Sequence, residues 1–164
     1  MKSTKLVEAA LDKIASIDHS GYELKSVLAV SSDALERARE HDRSNTALPL
    51  AGIPILIKDN IEAIGLPATA GSLALANTPV VRDSTIATRL RAAGAIIIGA
   101  TNLSEWANIR SDRSTSGWSA VGGLTANPWK HTQSAGGSSS GSGAAVAANL
   151  TQWAIGSETD GSII

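Results

Sequence analysis

The sequence predicts an α/β fold in which a mixed β-sheet is covered by helices. Short apolar runs of strand length alternate with amphipathic segments of helical period, the pattern of strands that alternate with covering helices. Two of these runs, 53–58 and 95–100, are apolar at nearly every position, which is typical of strands buried on both faces. The length of 164 residues is enough for one domain with a sizeable core and short for two.

The first part of the chain supplies two helices and two strands. In chain order the predicted elements are a helix over 6–17, a strand over 26–30, a helix over 33–41 and a strand over 53–58. The first helix shows apolar residues at spacings of three and four and stops before Gly21. Asp33 with Glu36 matches a capping box that opens the second helix, and Pro54 lies near a strand start, where proline is tolerated.

The second part repeats the alternation around a long loop. The predicted elements are a loop over 65–71, a helix ending near Gly94, a parallel-type strand over 95–100, a further helix carrying Trp106, a loop over 110–137, a helix over 143–150 and a strand over 151–156. Ile86, Leu90 and Ala93 are expected to line the helix before Gly94. Asn102 with Glu105 is expected to cap the helix that carries Trp106. A loop as long as 110–137 inside one domain is usually functional.

Composition narrows the class of partner. The formal net charge is −1 and the basic residues are scattered, so a small-molecule or peptide partner is favoured over a nucleic acid. The chain has no cysteine, which excludes disulfides, thiolate metal sites and a cysteine nucleophile. The longest apolar run, 92–100, is far short of the ~20 residues of a membrane helix. Because the N-terminus also lacks a signal-peptide pattern, we expect a cytoplasmic protein with no membrane partner, and the oligomeric state stays open.

Glycine-flanked serines dominate the segment 136–164, which contains six serines in two clusters. A phosphate-binding loop would need a lysine after its glycines, and none is present in GGSSSGSG. A flexible linker is a second possibility, but helix and strand patterns follow directly. The third is a hydrolase site, in which hydroxyls and backbone N–H groups converge on an attacking serine and an oxyanion.

A serine nucleophile needs a base, and the sequence offers two kinds. The histidines are His19, His41 and His131, of which only His131 lies in a loop that could serve a Ser-His-Asp triad; their spacing matches no metal site. Lys58 ends an almost wholly apolar strand, where desolvation would lower its pKa and favour the neutral amine. On position alone, however, a lysine at a strand end is more often a solvated surface residue than a base.

Three motifs in order resemble the amidase signature family of serine amidohydrolases, whose catalytic device is a Ser-cisSer-Lys triad. They are PILIKDNI at 54–61, GGSSSGSGAAVAA at 136–148 and GSETDGSI at 156–163, and the resemblance extends over 48–164. It implies Ser162 as nucleophile, Lys58 as base and Ser138, after a cis peptide, as the serine between them; the separation of 24 positions selects Ser138 over its neighbours. The remaining implied residues are the backbone N–H donors of the oxyanion hole, Thr159, Asp160, Gly161 and Ser162, and the supporting residues Gly136, Gly137 and Ser139. The resemblance implies neither a cofactor nor a metal.

The implied activity is hydrolysis of a carboxamide of a small molecule or peptide through an acyl-enzyme. Ile164 stands where many members, including the A-type subunits of tRNA-dependent amidotransferases, have arginine, and LSEWAN and SGWS look closer to the peptide-amidase-like bacterial branch. An A-type amidotransferase subunit and a truncated non-catalytic fragment are the alternatives. Family domains are longer, so we expect 1–164 to be the N-terminal part of a single amidase domain, with little activity in isolation. Trp118, Trp129 and the loop 111–123 are candidates for lining the acyl pocket, with ordinary packing as the alternative.

Overall fold

A computed structural model describes residues 2–44 and 46–164. The helices are α1 Ser3–Lys13, α2 Ala34–Ser44, α3 Thr85–Ala92 and α4 Ser140–Ala147. The strands are β1 Val27–Val30, β2 Pro54–Lys58, β3 Ile96–Thr101, β4 Trp118–Ser119, β5 Gly123–Leu124 and β6 Trp153–Ile155. A π-helical turn, Ile14–Asp18, extends α1, and a 3₁₀ turn spans Glu105–Asn108. Within the described residues, no helix combines the length and hydropathy needed to cross a bilayer.

Four strands form the main sheet, in the order β1-β3-β2-β6. β2 runs parallel to both β3 and β6, and β1 is antiparallel to β3, so the sheet is mixed, as the sequence predicts. A separate antiparallel pair, β4 and β5, forms inside the long loop. The carboxyl ends of β2 and β6 meet at one edge of the sheet, since Ile57 pairs with Ile155. Residues that follow these two strands are therefore neighbours.

The core lies on both faces of the sheet. One cluster joins Leu56 and Ile98 to α1, α2 and α4, and the other joins Ile55, Ile57 and Ile97 to α3. Because side chains alternate along a strand, Leu56 points to the face that α4 covers, and Lys58 points the same way. This alternation brings the end of β2 toward the serine-rich start of α4.

Three local predictions differ from the structure. No helix capped by Asn102 forms among the described residues, because the fully buried Asn102 side chain binds the backbone of Lys25, Leu103 and Gly123 instead. The turn at 105–108 also has left-handed backbone angles at Trp106, so it is not α-helical. On α3 it is Ala87 that is buried, whereas Ile86 is 46% exposed. Finally, α4 begins at residue 140, three positions before the predicted start at 143.

Candidate active site

Lys58 is fully buried at the end of β2 and is held by three oxygen atoms. Its Nζ lies 2.8 Å from Ser138 Oγ, 2.9 Å from Ser139 Oγ and 3.0 Å from the carbonyl oxygen of Ser157. The two serines immediately precede α4, and Ser157 follows β6, so the amine joins segments from three parts of the chain. The alternative of a solvated lysine at the strand end does not hold.

Burial changes the acid-base state of this amine. Desolvation lowers the pKa of Lys58 from 10.5 to about 8, because the charged form loses more hydration than the neutral form. The three surrounding oxygen atoms belong to two hydroxyls and one carbonyl and carry no formal charge. None of them therefore attracts the ammonium as strongly as a carboxylate would. With this pKa, Lys58 is neutral in about one tenth of the molecules at pH 7. A neutral amine is a competent general base.

Ser138 connects Lys58 to Ser162. The Oγ of Ser138 lies 3.1 Å from the Oγ of Ser162, and the Gly137–Ser138 peptide bond is cis. Ser138 is 1% exposed, and its carbonyl accepts the N–H of Ser104 at 3.1 Å. A Cβ at Gly137 would lie 2.4 Å from Ser104 Oγ, so a larger residue would displace the Ser104 hydroxyl, which accepts the N–H of Gly117. The result is one continuous row of polar atoms from the amine of Lys58 to the hydroxyl of Ser162.

Ser139 has a different set of partners. Its Oγ lies 3.1 Å from the carbonyl oxygen of Ser157 and accepts the N–H of Ser157 at 3.2 Å. Its own N–H donates to the carbonyl of Ser162 at 3.1 Å. Of the two hydroxyls that bind Lys58 in the described part of the chain, only that of Ser138 also reaches the hydroxyl of Ser162. Ser139 therefore hydrogen-bonds to the amine of Lys58 and to the backbone of Ser157 and Ser162, whereas Ser138 connects that amine to the hydroxyl of Ser162.

The turn that carries Ser162 is organised by Glu158. Its carboxylate accepts the N–H groups of Gly161 at 3.2 Å, Ile163 at 2.7 Å and Ile164 at 3.1 Å. Of the four predicted oxyanion donors, Gly161 is thus already engaged. The N–H groups of the other three, Thr159, Asp160 and Ser162, make no hydrogen bond within 2–44 and 46–164. The oxyanion hole stays a prediction, and Glu158 is a residue that the sequence analysis missed.

Other candidates lie elsewhere. His19 binds the Val27 carbonyl, His41 binds Ser3, and His131 packs against the ring of Tyr22.

An open groove of about 610 Å³ beside Ser162 is lined by Gly136, Gly137, Val146 and Ile163 among others, and neither Trp118 nor Trp129 lines it. Trp118 instead lines a separate cavity with two arginines, and Trp129 is 82% exposed. The role predicted for the tryptophans in an acyl pocket stays a prediction.

Two further polar residues adjoin Lys58 and were also missed. Asp59 is fully buried, and its carboxylate accepts the N–H groups of Thr69 at 3.2 Å and Gly71 at 3.4 Å. Burial raises the pKa of Asp59, although those hydrogen bonds act in the opposite direction. Asn60 donates to the hydroxyl of Ser157 at 2.9 Å. Both could have been flagged from their position directly after the base, but their partners depend on the folded chain.

Comparison with known proteins gives a consistent set of relatives. A family model described as Amidase matches residues 5–164. The chain is 43% identical over 171 residues to a probable amidase of Arabidopsis thaliana, with 100% of this chain and 33% of that protein covered. It is 40% identical over 169 residues to the A-type subunit of the glutamyl-tRNA(Gln) amidotransferase of Symbiobacterium thermophilum, with 99% and 33% covered. The solved structure of the peptide amidase from Stenotrophomonas maltophilia is 51% identical, with a TM-score of 0.96 over 99% of this chain and 34% of that one. The chain spans about a third of the length of these relatives.

Proposed function

Since the chain belongs to the amidase family, we propose that it carries the catalytic centre of an enzyme that hydrolyses a carboxamide through an acyl-enzyme on Ser162. The observation that carries this proposal is the row Lys58 Nζ, Ser138 Oγ and Ser162 Oγ, joined at 2.8 and 3.1 Å. A hydroxyl is a poor nucleophile until its proton is removed, and a row of this kind leads that proton to a buried amine.

In the first half of the reaction, Ser162 Oγ forms a bond with the carbonyl carbon of the amide. Its proton passes to Ser138 Oγ as the proton of Ser138 passes to Lys58, because a hydroxyl can accept and donate at once. The tetrahedral intermediate then collapses, the C–N bond breaks, and the proton returns from Lys58 through Ser138 to the leaving nitrogen. Ammonia or an amine departs and the acyl group stays on Ser162.

In the second half, water replaces the leaving group. The same relay removes a proton from water as its oxygen attacks the ester carbonyl, and the proton is returned to Ser162 Oγ as the C–O bond breaks. The net change is the conversion of one amide and one water into a carboxylic acid and ammonia or an amine. Backbone N–H groups of Thr159, Asp160 and Ser162, which have no acceptor among the residues that the structure describes, would hold the oxyanion in both halves.

The pKa of Lys58 suits both directions of this relay. A value of about 8 is close enough to neutrality for the amine to take a proton in one step and to release it in the next. An ordinary lysine would be almost wholly protonated at pH 7. The fully buried position of Lys58 is therefore the physical basis of its proposed role as base.

Covalent labelling of the natural gene product tests the proposal. A fluorophosphonate should label one serine, Ser162, and both Ser162→Ala and Lys58→Ala should lose the label. Ser140→Ala is the matched control, since the buried Ser140 hydroxyl makes no hydrogen bond within the described residues and its loss leaves the row intact. Labelling at another serine, or normal labelling in Lys58→Ala, would refute the proposal.

A peptide or other small amide is the favoured substrate class, because the peptide amidase of Stenotrophomonas maltophilia is 51% identical to this chain. The identity to an A-type amidotransferase subunit supports a second candidate, release of ammonia from glutamine for a tRNA-bound substrate. The two are separated by assaying C-terminally amidated dipeptides and free glutamine as ammonia sources. Release from the dipeptides by the protein alone favours the first candidate, and release from glutamine that requires a partner protein favours the second.

A further inference from the structure

A side-chain bridge joins the segments that follow β2 and β6. Asn60 lies two residues after the end of β2, and Ser157 lies two residues after the end of β6. The Nδ2 of Asn60 donates to Ser157 Oγ at 2.9 Å, and Ser157 Oγ lies 3.4 Å from Asn60 Oδ1. β2 and β6 are parallel neighbours whose last paired residues are Ile57 and Ile155. The side-chain bridge therefore links the two segments just beyond the end of the backbone pairing.

The main chain of Ser157 organises the polar groups around the amine of Lys58. Its carbonyl accepts Lys58 Nζ at 3.0 Å, and the same oxygen lies 3.1 Å from Ser139 Oγ. Its N–H donates to Ser139 Oγ at 3.2 Å. Two of the three oxygen atoms around the amine therefore depend on where Ser157 lies, and the third belongs to Ser138.

The orientation of a neutral amine depends on those two oxygen atoms. A neutral lysine has two N–H donors and one lone pair, and the relay needs the lone pair to face Ser138. When the N–H groups point to Ser139 Oγ and to the carbonyl of Ser157, the lone pair is left for the hydroxyl of Ser138. If Ser157 shifts, one N–H of the amine loses its carbonyl acceptor and Ser139 Oγ loses two of its partners, so the orientation of the lone pair toward Ser138 is less restricted.

We propose that Asn60 is a positioning residue for amide hydrolysis, because its bridge to Ser157 holds the two oxygen atoms that direct the amine of Lys58 toward Ser138. The inference rests on the proposed function of the Lys58–Ser138–Ser162 row. The Asn60 side chain is exposed and lies outside both core clusters, so replacing it leaves the packing of the sheet unchanged. Its effect is on the relay.

The test is the rate of fluorophosphonate labelling of Ser162 in the natural gene product, measured as kinact and KI across pH. Asn60→Ala and Ser157→Ala should each lower kinact about tenfold with KI unchanged, since displacement of a reacting group by a fraction of an ångström has effects of this order. The double variant should be no slower than either single variant, because both remove the same bridge. Ser157→Thr, which keeps the hydroxyl, should react at the normal rate, and Asn60→Asp, which can accept but not donate, should fall between.

The pH profile distinguishes positioning from a general loss of structure. The carbonyl of Ser157 stabilises the ammonium form of Lys58 more than the neutral amine, so its displacement should lower the pKa of Lys58. The rise of kinact with pH on the acidic side of the profile, its acid limb, should then move to lower pH. Asn127→Ala is the matched control, because Asn127 is another asparagine whose side chain binds loop backbone, at Ser134, away from Lys58. Its kinact and its acid limb should equal those of the unaltered protein.

Unchanged kinact in Asn60→Ala, multiplied defects in the double variant, or an acid limb that stays in place would each overturn the inference. These failures are distinct from failure of the proposed function. If the proposed function were wrong, the unaltered protein would not be labelled at Ser162, or Lys58→Ala would be labelled normally. With Ser162 labelled and Lys58 required, a normal Asn60→Ala variant removes the positioning role alone.

Discussion

Replacing Lys58 with methionine should change how the stability of the fold depends on pH. The buried lysine has a pKa of about 8, whereas in the unfolded chain it returns to 10.5. Between these values the unfolded chain binds a proton that the folded chain has released. The free energy of unfolding therefore increases as pH rises through this window, and the cost of burying the charge is fully present below pH 8.

The magnitude follows from the two pKa values. A difference of about 2.5 pKa units corresponds to about 3 kcal/mol between the extremes of pH. From pH 7 to pH 9.5, linkage gives a gain of about 2 kcal/mol. Because Lys58 is fully buried, solvent screening does not reduce this figure. Methionine has a similar length and no titratable group, so the gain should vanish in Lys58→Met.

Urea denaturation of the unaltered protein and of Lys58→Met, at half-unit steps from pH 7 to pH 9.5, measures the effect. The difference in unfolding free energy between the two proteins isolates Lys58 from all other titrating groups. It should move by about 2 kcal/mol in favour of the unaltered protein as pH rises. A difference that stays constant, or that moves the other way, would show that Lys58 keeps an ordinary pKa in the folded state.

Three further outcomes are expected. The rate of fluorophosphonate labelling of Ser162 should rise about tenfold from pH 6 to pH 7 and level off above about pH 8, since only the neutral lysine accepts the proton; a flat profile would exclude a base of this pKa. Glu158→Ala should slow that labelling about tenfold, because three N–H groups of the nucleophile turn lose their common acceptor; Glu158→Gln, which retains an acceptor oxygen, should be affected less. Gly141→Ala should destabilise the protein by about 3 kcal/mol, since its Cβ would lie 2.4 Å from the Ser26 carbonyl. Gly143→Ala in the same helix, with no atom within 4 Å of the added Cβ, should be neutral or stabilising by about 0.5 to 1 kcal/mol, and equal thermal shifts for both variants would contradict this expectation.

Most of the sheet and the family could be predicted from the sequence. Apolar runs of strand length mark β2 and β3 because both are buried on two faces, and the structural likeness confirms the predicted amidase-signature fold. The prediction failed at Asn102, whose position before Glu105 matches a helix cap. Asn102 instead makes tertiary contacts, since its buried side-chain amide binds two segments that lie far apart in the sequence.

The surroundings of the base could not be predicted in the same way. Periodicity identifies a strand but not its neighbours, and the contacts of Asn60 and Ser157 exist only because β2 and β6 are adjacent in the sheet. Glu158 was missed for a related reason. Its partners are backbone N–H groups within six residues, and no side-chain pattern marks the turn that points them toward one carboxylate.

Adjacent residues at the end of β2 serve opposite faces of the sheet. Alternation along the strand directs Lys58 to the face of α4 and the serines, and Asp59 to the opposite face. There the Asp59 carboxylate holds the segment 69–71, whose carbonyl groups at Ala70 and Gly71 accept the N–H groups of Trp106 and Val121. The long loop is thus tied to the residue next to the base, so a shift of the β2 terminus would move the proposed relay and this loop together.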